Sequence, residues 1–185
     1  MKKLFSFFTL ISALGSIYNT GLITETSKKL REFKALELAE SSGRIRAYNE
    51  KKRAIGKFQI RYPAKKEFND DTGKNYKMRD MYDPNLASHV AGYYLEKSER
   101  YFRAYYGTPL FKILKYNSYN MGRNGSISII NGQTVFKIYM PYIEKILLPA
   151  EIAEFNRKYV WIKQRGDIYY YVPIKRLLND RKTKG

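Results

Sequence analysis

Ser27-Lys28-Lys29-Leu30-Arg31-Glu32-Phe33-Lys34-Ala35-Leu36-Glu37-Leu38-Ala39-Glu40-Ser41-Ser42-Gly43 is the stretch on which the fold turns. Ser27 can cap a helix that runs through Glu40, because its hydroxyl can accept from the first free backbone N–H groups. Leu30, Phe33 and Leu36 then share one stripe at helical spacing, and Glu40 extends that stripe one turn beyond Leu36. Glu32 and Glu37 are expected to point elsewhere. An acid on the face that turns into the protein is a candidate for chemistry, since burial raises its pKa, and Ser41-Ser42-Gly43 breaks the helix right behind it.

Moving toward the C-terminus, Arg44 to Arg53 reads as a loop, followed by the apolar and glycine-containing Ala54-Ile55-Gly56-Lys57-Phe58-Gln59-Ile60 and an interruption at Pro63. Asp83-Pro84 is a helix start, an N-cap with proline at the first helical position, and the pattern continues to about Tyr105. Gly107-Thr108-Pro109 opens a further helix that runs into Tyr119-Asn120-Met121-Gly122, and a Gly/Asn/Ser-rich loop is expected over Arg123 to Gly132. Tyr139 to Leu147 predicts a closing helix with Pro149 as its stop signal. Tyr159-Val160-Trp161-Ile162 and Ile168-Tyr169-Tyr170-Tyr171-Val172 flank a turn candidate and predict a β-hairpin. The end, from Asn179, is a basic tail.

Toward the N-terminus, Lys2-Lys3 and the apolar run from Leu4 to Leu14, with small residues at Ala13-Leu14-Gly15, have the grammar of an export signal. The apolar stretch continues through Ile23, long enough for an uncleaved anchor. Either way residues 1–26 are expected to carry the protein out of the cytosol, to the periplasm or cell wall, and they are its expected route to a membrane.

Composition narrows the chemistry. The chain has 185 residues, no cysteine and one histidine, which removes thiol nucleophiles and Cys-type zinc sites and makes His-rich metal sites a poor expectation. No cofactor or metal is expected, and catalysis must rest on carboxylates. Thirty-five Lys and Arg against 17 acids give a net charge of +18, spread along the chain. A polyanionic partner, such as anionic cell-wall polymers, fits that excess, although a Lys-, Tyr-, Ile- and Asn-rich coding bias accounts for it equally well.

Four motifs occur in order: Glu40-Ser41-Ser42-Gly43, Ala54 to Ile60 with Gly56 and Gln59, Tyr82-Asp83-Pro84, and Tyr119-Asn120-Met121-Gly122. In order and spacing they resemble the soluble lytic transglycosylases of the lysozyme superfamily, over about Ser27 to Leu148. The resemblance implies a mainly α, lysozyme-like α+β domain over 27–148, with 149–185 as an extension carrying the hairpin. It implies a lyase that cuts peptidoglycan glycan strands, with Glu40 as acid and then base, a 1,6-anhydro-muramic acid product, and the substrate's N-acetyl group in place of a second carboxylate. Carried over residue by residue, it makes Ser41, Gln59, Tyr119 and Asn120 substrate-cleft residues, with Tyr119 within reach of the Glu40 carboxyl. Tyr116-Asn117 is a second register that lacks the following glycine. Lys57 departs from the family's apolar residue there, and either shapes the cleft wall or faces solvent.

Asp83 reads as a cap and His89 as a packed or surface histidine. Three other functions stay open on these residues: a hydrolytic muramidase using Asp70, Asp71 or Asp80 as second carboxylate, a non-catalytic wall-binding or assembly protein such as a virion component, and a nucleic-acid binder. The export signal argues against the last, so no nucleic-acid partner is expected.

Overall fold

The computed structural model describes residues 20–130 and 132–175. It divides into two compact units, residues 1–31 and 32–185. Of the first unit, the described part is the opening of helix α1, Thr20–Ser41. The expected export segment therefore lies outside the described residues up to residue 19, and the basic tail from Asn179 lies outside them too. Among the described residues no helix is long and apolar enough to cross a membrane.

Helix α1 is longer than its sequence signals suggest. Ser27 sits inside it rather than capping it, and Leu30 is exposed, so the stripe that packs consists of Phe33 and Leu36 with Glu40 between them around the circumference. Glu32 and Glu37 flank that stripe and are buried, against expectation, because each has cationic or phenolic partners that compensate its desolvation.

The second unit is mostly helical. A two-residue ladder joins β1, Tyr48–Asn49, to β2, Ala54–Ile55. Then come α2, Tyr62–Thr72, with Pro63 in its first turn, and α3, Pro84–Tyr101. As expected, the Asp83 carboxylate caps α3, accepting from the N–H groups of Asn85 and Leu86 at 2.8 Å each. Helix α4, Pro109–Met121, is the central element, with Leu110, Ile113, Leu114 and Tyr116 buried on it.

Beyond α4 the structure corrects two expectations. The loop over Arg123 to Gly132 contains a strand, β3, Ile127–Ile130, which pairs antiparallel with β4, Gln133–Tyr139. Alternation in β4, with Phe136 and Ile138 directed into the core, gives this hairpin a buried face that its Gly/Asn/Ser content conceals. The closing helix is one short turn, α5, Met140–Ile143, and Pro149 does not stop a helix but opens α6, Pro149–Asn156, where its missing N–H costs nothing.

The expected C-terminal hairpin is present as β5, Tyr159–Arg165, and β6, Ile168–Pro173. It is not an appendage. Strand β6 pairs with β4 to make one four-stranded sheet of order β3-β4-β6-β5, and Phe155 and Tyr171 join Leu36, Phe58, Leu110, Ile138 and Ile143 in a single apolar cluster. Residues 149–173 thus help to close the core that helices 84–121 begin.

Candidate active site

The Glu40 side chain leaves the last turn of α1 into a partly buried space, and the hydroxyl of Tyr142 on α5 donates to its Oε1 at 2.5 Å. Burial pushes the Glu40 carboxyl up to about 7. The bond from Tyr142 and the positive potentials of Lys52 and Lys145 oppose that rise without cancelling it. No basic side chain among the described residues pairs directly with Glu40, and this separates it from its neighbours on α1. Burial also pushes Glu37 up, but Lys34 at 2.7 Å and Lys57 at 3.4 Å outweigh it, and that carboxyl titrates below the ordinary range. The outcome is a carboxyl that holds a proton near neutrality and can release it there, the requirement for an acid that later acts as a base.

The segment after α1 braces this position. Ser41 is buried, and its hydroxyl donates to the Lys57 carbonyl at 2.7 Å, tying the end of α1 to the Gly56–Gln59 turn. The structure thereby gives Ser41 a bracing place instead of one on a cleft wall. Gly56 makes the turn possible: its φ is +76°, and a Cβ there would lie 2.2 Å from the Met81 carbonyl oxygen, so no other residue fits without moving backbone. Lys57 neither shapes a cleft nor simply faces solvent; it folds back onto Glu37.

Gln59 has a left-handed backbone, φ +49°, uncommon for a residue with a side chain. Its amide N–H groups reach the carbonyls of Gly56 at 3.0 Å and Ala47 at 3.4 Å, holding the loop that follows α1. Gln59 also lines a cleft of about 300 Å³ with Tyr94, Tyr119, Arg61, Glu67 and Arg123.

Tyr119 lies near enough to Glu40 for that charge to raise its phenol further above the ordinary value, after burial as the main cause. Its hydroxyl, however, donates to the Phe58 carbonyl at 2.8 Å, and Tyr94 packs edge-on against its ring. The expected bond to Glu40 is made by Tyr142 instead. Asn120, half-buried on the last turn of α4, is not hydrogen-bonded to Glu40. The alternative register is structural: Asn117 holds Ser126, the Lys137 carbonyl and the Tyr139 N–H, and Tyr116 bonds Glu32.

Tyr142 is the residue that sequence reasoning missed. It lies in the segment expected to be a closing helix, and a tyrosine among apolar residues there carried no mark of its partner 102 positions away. The carboxylates considered as second catalytic groups are engaged locally. Asp70 pairs with Lys66, Asp71 accepts from Lys97 and Tyr93, and Asp80 accepts from the Lys77 N–H. His89 lines an open depression with Tyr76, Arg79 and Asp80, apart from the Glu40 group.

The family model described as the transglycosylase SLT domain matches residues 18–138, and so takes in Glu40, Gln59 and Tyr119 but ends before Tyr142. Nothing matches among curated proteins or among solved structures.

Proposed function

This chain belongs to the transglycosylase SLT domain family, which implies lytic transglycosylase activity on peptidoglycan, and from that premise we propose that Glu40 is the acid and base of the reaction. In its protonated form Glu40 delivers its proton to the glycosidic oxygen between N-acetylmuramic acid and N-acetylglucosamine as the C1–O4 bond breaks. The carbonyl oxygen of the muramic acid's N-acetyl group closes on C1 and carries the positive charge. The sugar's 6-hydroxyl then attacks C1 and expels that oxygen, and its proton returns to Glu40. The acid is regenerated, no water is consumed, and a 1,6-anhydro end remains.

The observation that carries this reading is the buried Glu40 carboxyl, pushed up to about 7 by its desolvation, with a phenol and, among the described residues, no ion-pair partner. A carboxyl at its ordinary value would be almost wholly ionised at neutral pH and a poor donor. The local engagement of Asp70, Asp71 and Asp80 supports a route that needs no second carboxylate. Tyr142 positions the carboxyl and stabilises its ionised form once the proton has gone. Gln59 and Tyr119 line the neighbouring cleft, and we assign them, with Asn120, to holding the acetamido sugars. The substrate lies outside the cytosol, in keeping with the expected export of the chain through residues 1–26.

Mass analysis of muropeptides released from purified peptidoglycan tests this. The wild-type chain is expected to release ends one water lighter than hydrolysis gives, and Glu40→Gln to lose at least about a thousandfold in rate, within the range of a general acid's contribution. Hydrated ends would replace the proposal with a hydrolytic muramidase. Full activity in Glu40→Gln would remove Glu40 from the chemistry altogether.

A further inference from the structure

The segment that follows Glu40 concentrates positive charge. Arg44-Ile45-Arg46-Ala47-Tyr48-Asn49-Glu50-Lys51-Lys52-Arg53 holds five basic residues in ten, against 35 in the 185 of the chain, so an even spread of lysine and arginine does not account for it. All five are exposed, and Arg46, Lys51, Lys52 and Arg53 make no ion pair among the described residues. Glu50, the one acid of the segment, pairs with none of them. Other cations are drawn onto acids, as Lys57 is onto Glu37, Lys97 onto Glu67 and Lys115 onto Glu99.

This charge has a fixed place. The segment folds as the β1–β2 hairpin, and at its tip the Lys52 N–H donates to Asn49 Oδ1 at 3.0 Å and the Arg53 N–H to the Glu50 carbonyl at 3.2 Å. At its base the Ala47 carbonyl accepts from the Gly56 N–H at 2.9 Å and from the Gln59 amide at 3.4 Å. The hairpin is thus clamped to the turn that places Gln59 beside the cleft. Lys52 stands close enough to Glu40 for its charge to act on that carboxyl.

We propose that the β1–β2 hairpin is a cationic arm that holds the carboxylates of the peptide stem on the muramic acid whose bond is cut, with Arg46, Lys51 and Arg53 among its contacts. The inference rests on the function proposed above, since it takes the same substrate. Two observations select that occupant. Four unpaired cations on one hairpin complement a group with more than one negative charge, as a stem has at its D-glutamate and at its last residue. The place of the arm selects the same group: Lys52 acts on Glu40, so an anion held there belongs to the sugar at the cleaved bond, whose 3-lactyl group carries the stem. Because the tip is already folded, the contact forms without first ordering a loop.

Release of anhydro ends is measured on soluble glycan strands that keep their stems, prepared from walls freed of phosphate polymers, and on the same strands after an amidase has removed the stems. A full-length variant with Arg46→Gln, Lys51→Gln and Arg53→Gln is expected to raise KM about tenfold on strands with stems and to leave kcat near its wild-type value, the pattern of uniform binding lost with three exposed charges. On stripped strands it should match the wild-type chain, which also checks that it folds. Lys52 is kept because its charge acts on Glu40 as well. Exchanging the cations instead, with Arg46→Lys, Lys51→Arg and Arg53→Lys, should keep KM low. Added salt should raise the wild-type KM on strands with stems and not on stripped ones. Lys137→Gln with Lys163→Gln and Arg165→Gln removes the same charge from the sheet and should behave as the wild-type chain does on both substrates. An unchanged KM in the hairpin variant, an equal rise on both substrates, or the same rise in the sheet variant overturns the arm. A rise seen only when phosphate polymers are left on the walls overturns it in favour of those polymers. Release by the wild-type chain without a difference at the hairpin sinks only the arm, whereas no release from either substrate sinks the underlying function and the arm with it.

Discussion

Helix α1 carries two carboxylate–phenol pairs whose neighbouring charges differ. Glu32 accepts from the Tyr116 hydroxyl at 2.6 Å, and Glu40 from the Tyr142 hydroxyl at 2.5 Å. At Glu32, Lys112 adds an ammonium at 2.7 Å and links it to Glu151 on α6, so the charge is compensated and the cluster ties α1, α4 and α6 together. At Glu40 no ammonium among the described residues is in contact, and burial drives the carboxyl up to about 7. The same hydrogen bond thus serves a structural tie in one place and a poised acid in the other. At Glu32 the Lys112 ammonium makes the pair a link between helices, whereas at Glu40 burial disfavours the ionised form.

Glu32→Ala leaves the buried Tyr116 hydroxyl without this acceptor and Lys112 without its contact on α1, and stability is expected to fall by about 3 kcal/mol, as when one partner of a buried pair is removed. Urea unfolding reads this directly, and a loss below about 1 kcal/mol would mean that the cluster holds little.

Glu40 is expected to behave in the opposite sense. Its folded pKa of about 7 lies above the ordinary 4.5. Stability from this group is therefore greatest below the ordinary value and declines as pH rises through the window between the two, because the unfolded chain gives up the proton first. Glu40→Gln should leave stability almost unchanged at pH 4 and raise it above pH 7 by on the order of 3 kcal/mol, at about 1.36 kcal/mol for each pH unit between the folded and unfolded titrations. Thermal melts of the two proteins across that range check it, and an equal difference at both ends of the range would mean that the cause is not titration.

Tyr142→Phe sharpens the comparison at the active end. Loss of a bond to the ionised carboxylate raises the Glu40 pKa, so the alkaline limb of the activity profile should move upward from about 7. The rate at the optimum should fall about tenfold, since an acid that is no longer held in place donates less well. A merely structural role for Tyr142 would lower the rate without moving the limb. The smallest effect is expected from Lys145→Ala. Removing its positive potential also raises the limb, by only about a few tenths of a pH unit, the scale left to an exposed charge, and added salt should erase the difference.

Much of the helical part was legible in the sequence. Asp83-Pro84 announced α3 because the cap and the ring act on adjacent residues. The strand over Ile127–Ile130 was hidden, since its pairing is fixed by β4, whose Phe136 and Ile138 pack into the core, and not by the Gly/Asn/Ser-rich segment itself. Pro149 was ambiguous for a related reason: proline follows a helix end and begins a helix with equal ease, and only the path of the chain decides.

At the site the division is similar. The sequence by itself determined that Glu40 stands on the packed face of its helix, because position on a helix follows from spacing alone, and that its chemistry would be that of a carboxylate, because no cysteine competes. Which side chains surround that carboxyl was left to the tertiary structure. Tyr142 rather than Tyr119 reaches it, Lys57 is drawn away to Glu37, and Ser41 is spent on a backbone carbonyl. A pKa depends on which charges and dipoles lie within a few ångströms and how much water is excluded, and those distances are set only when segments remote in sequence are packed together.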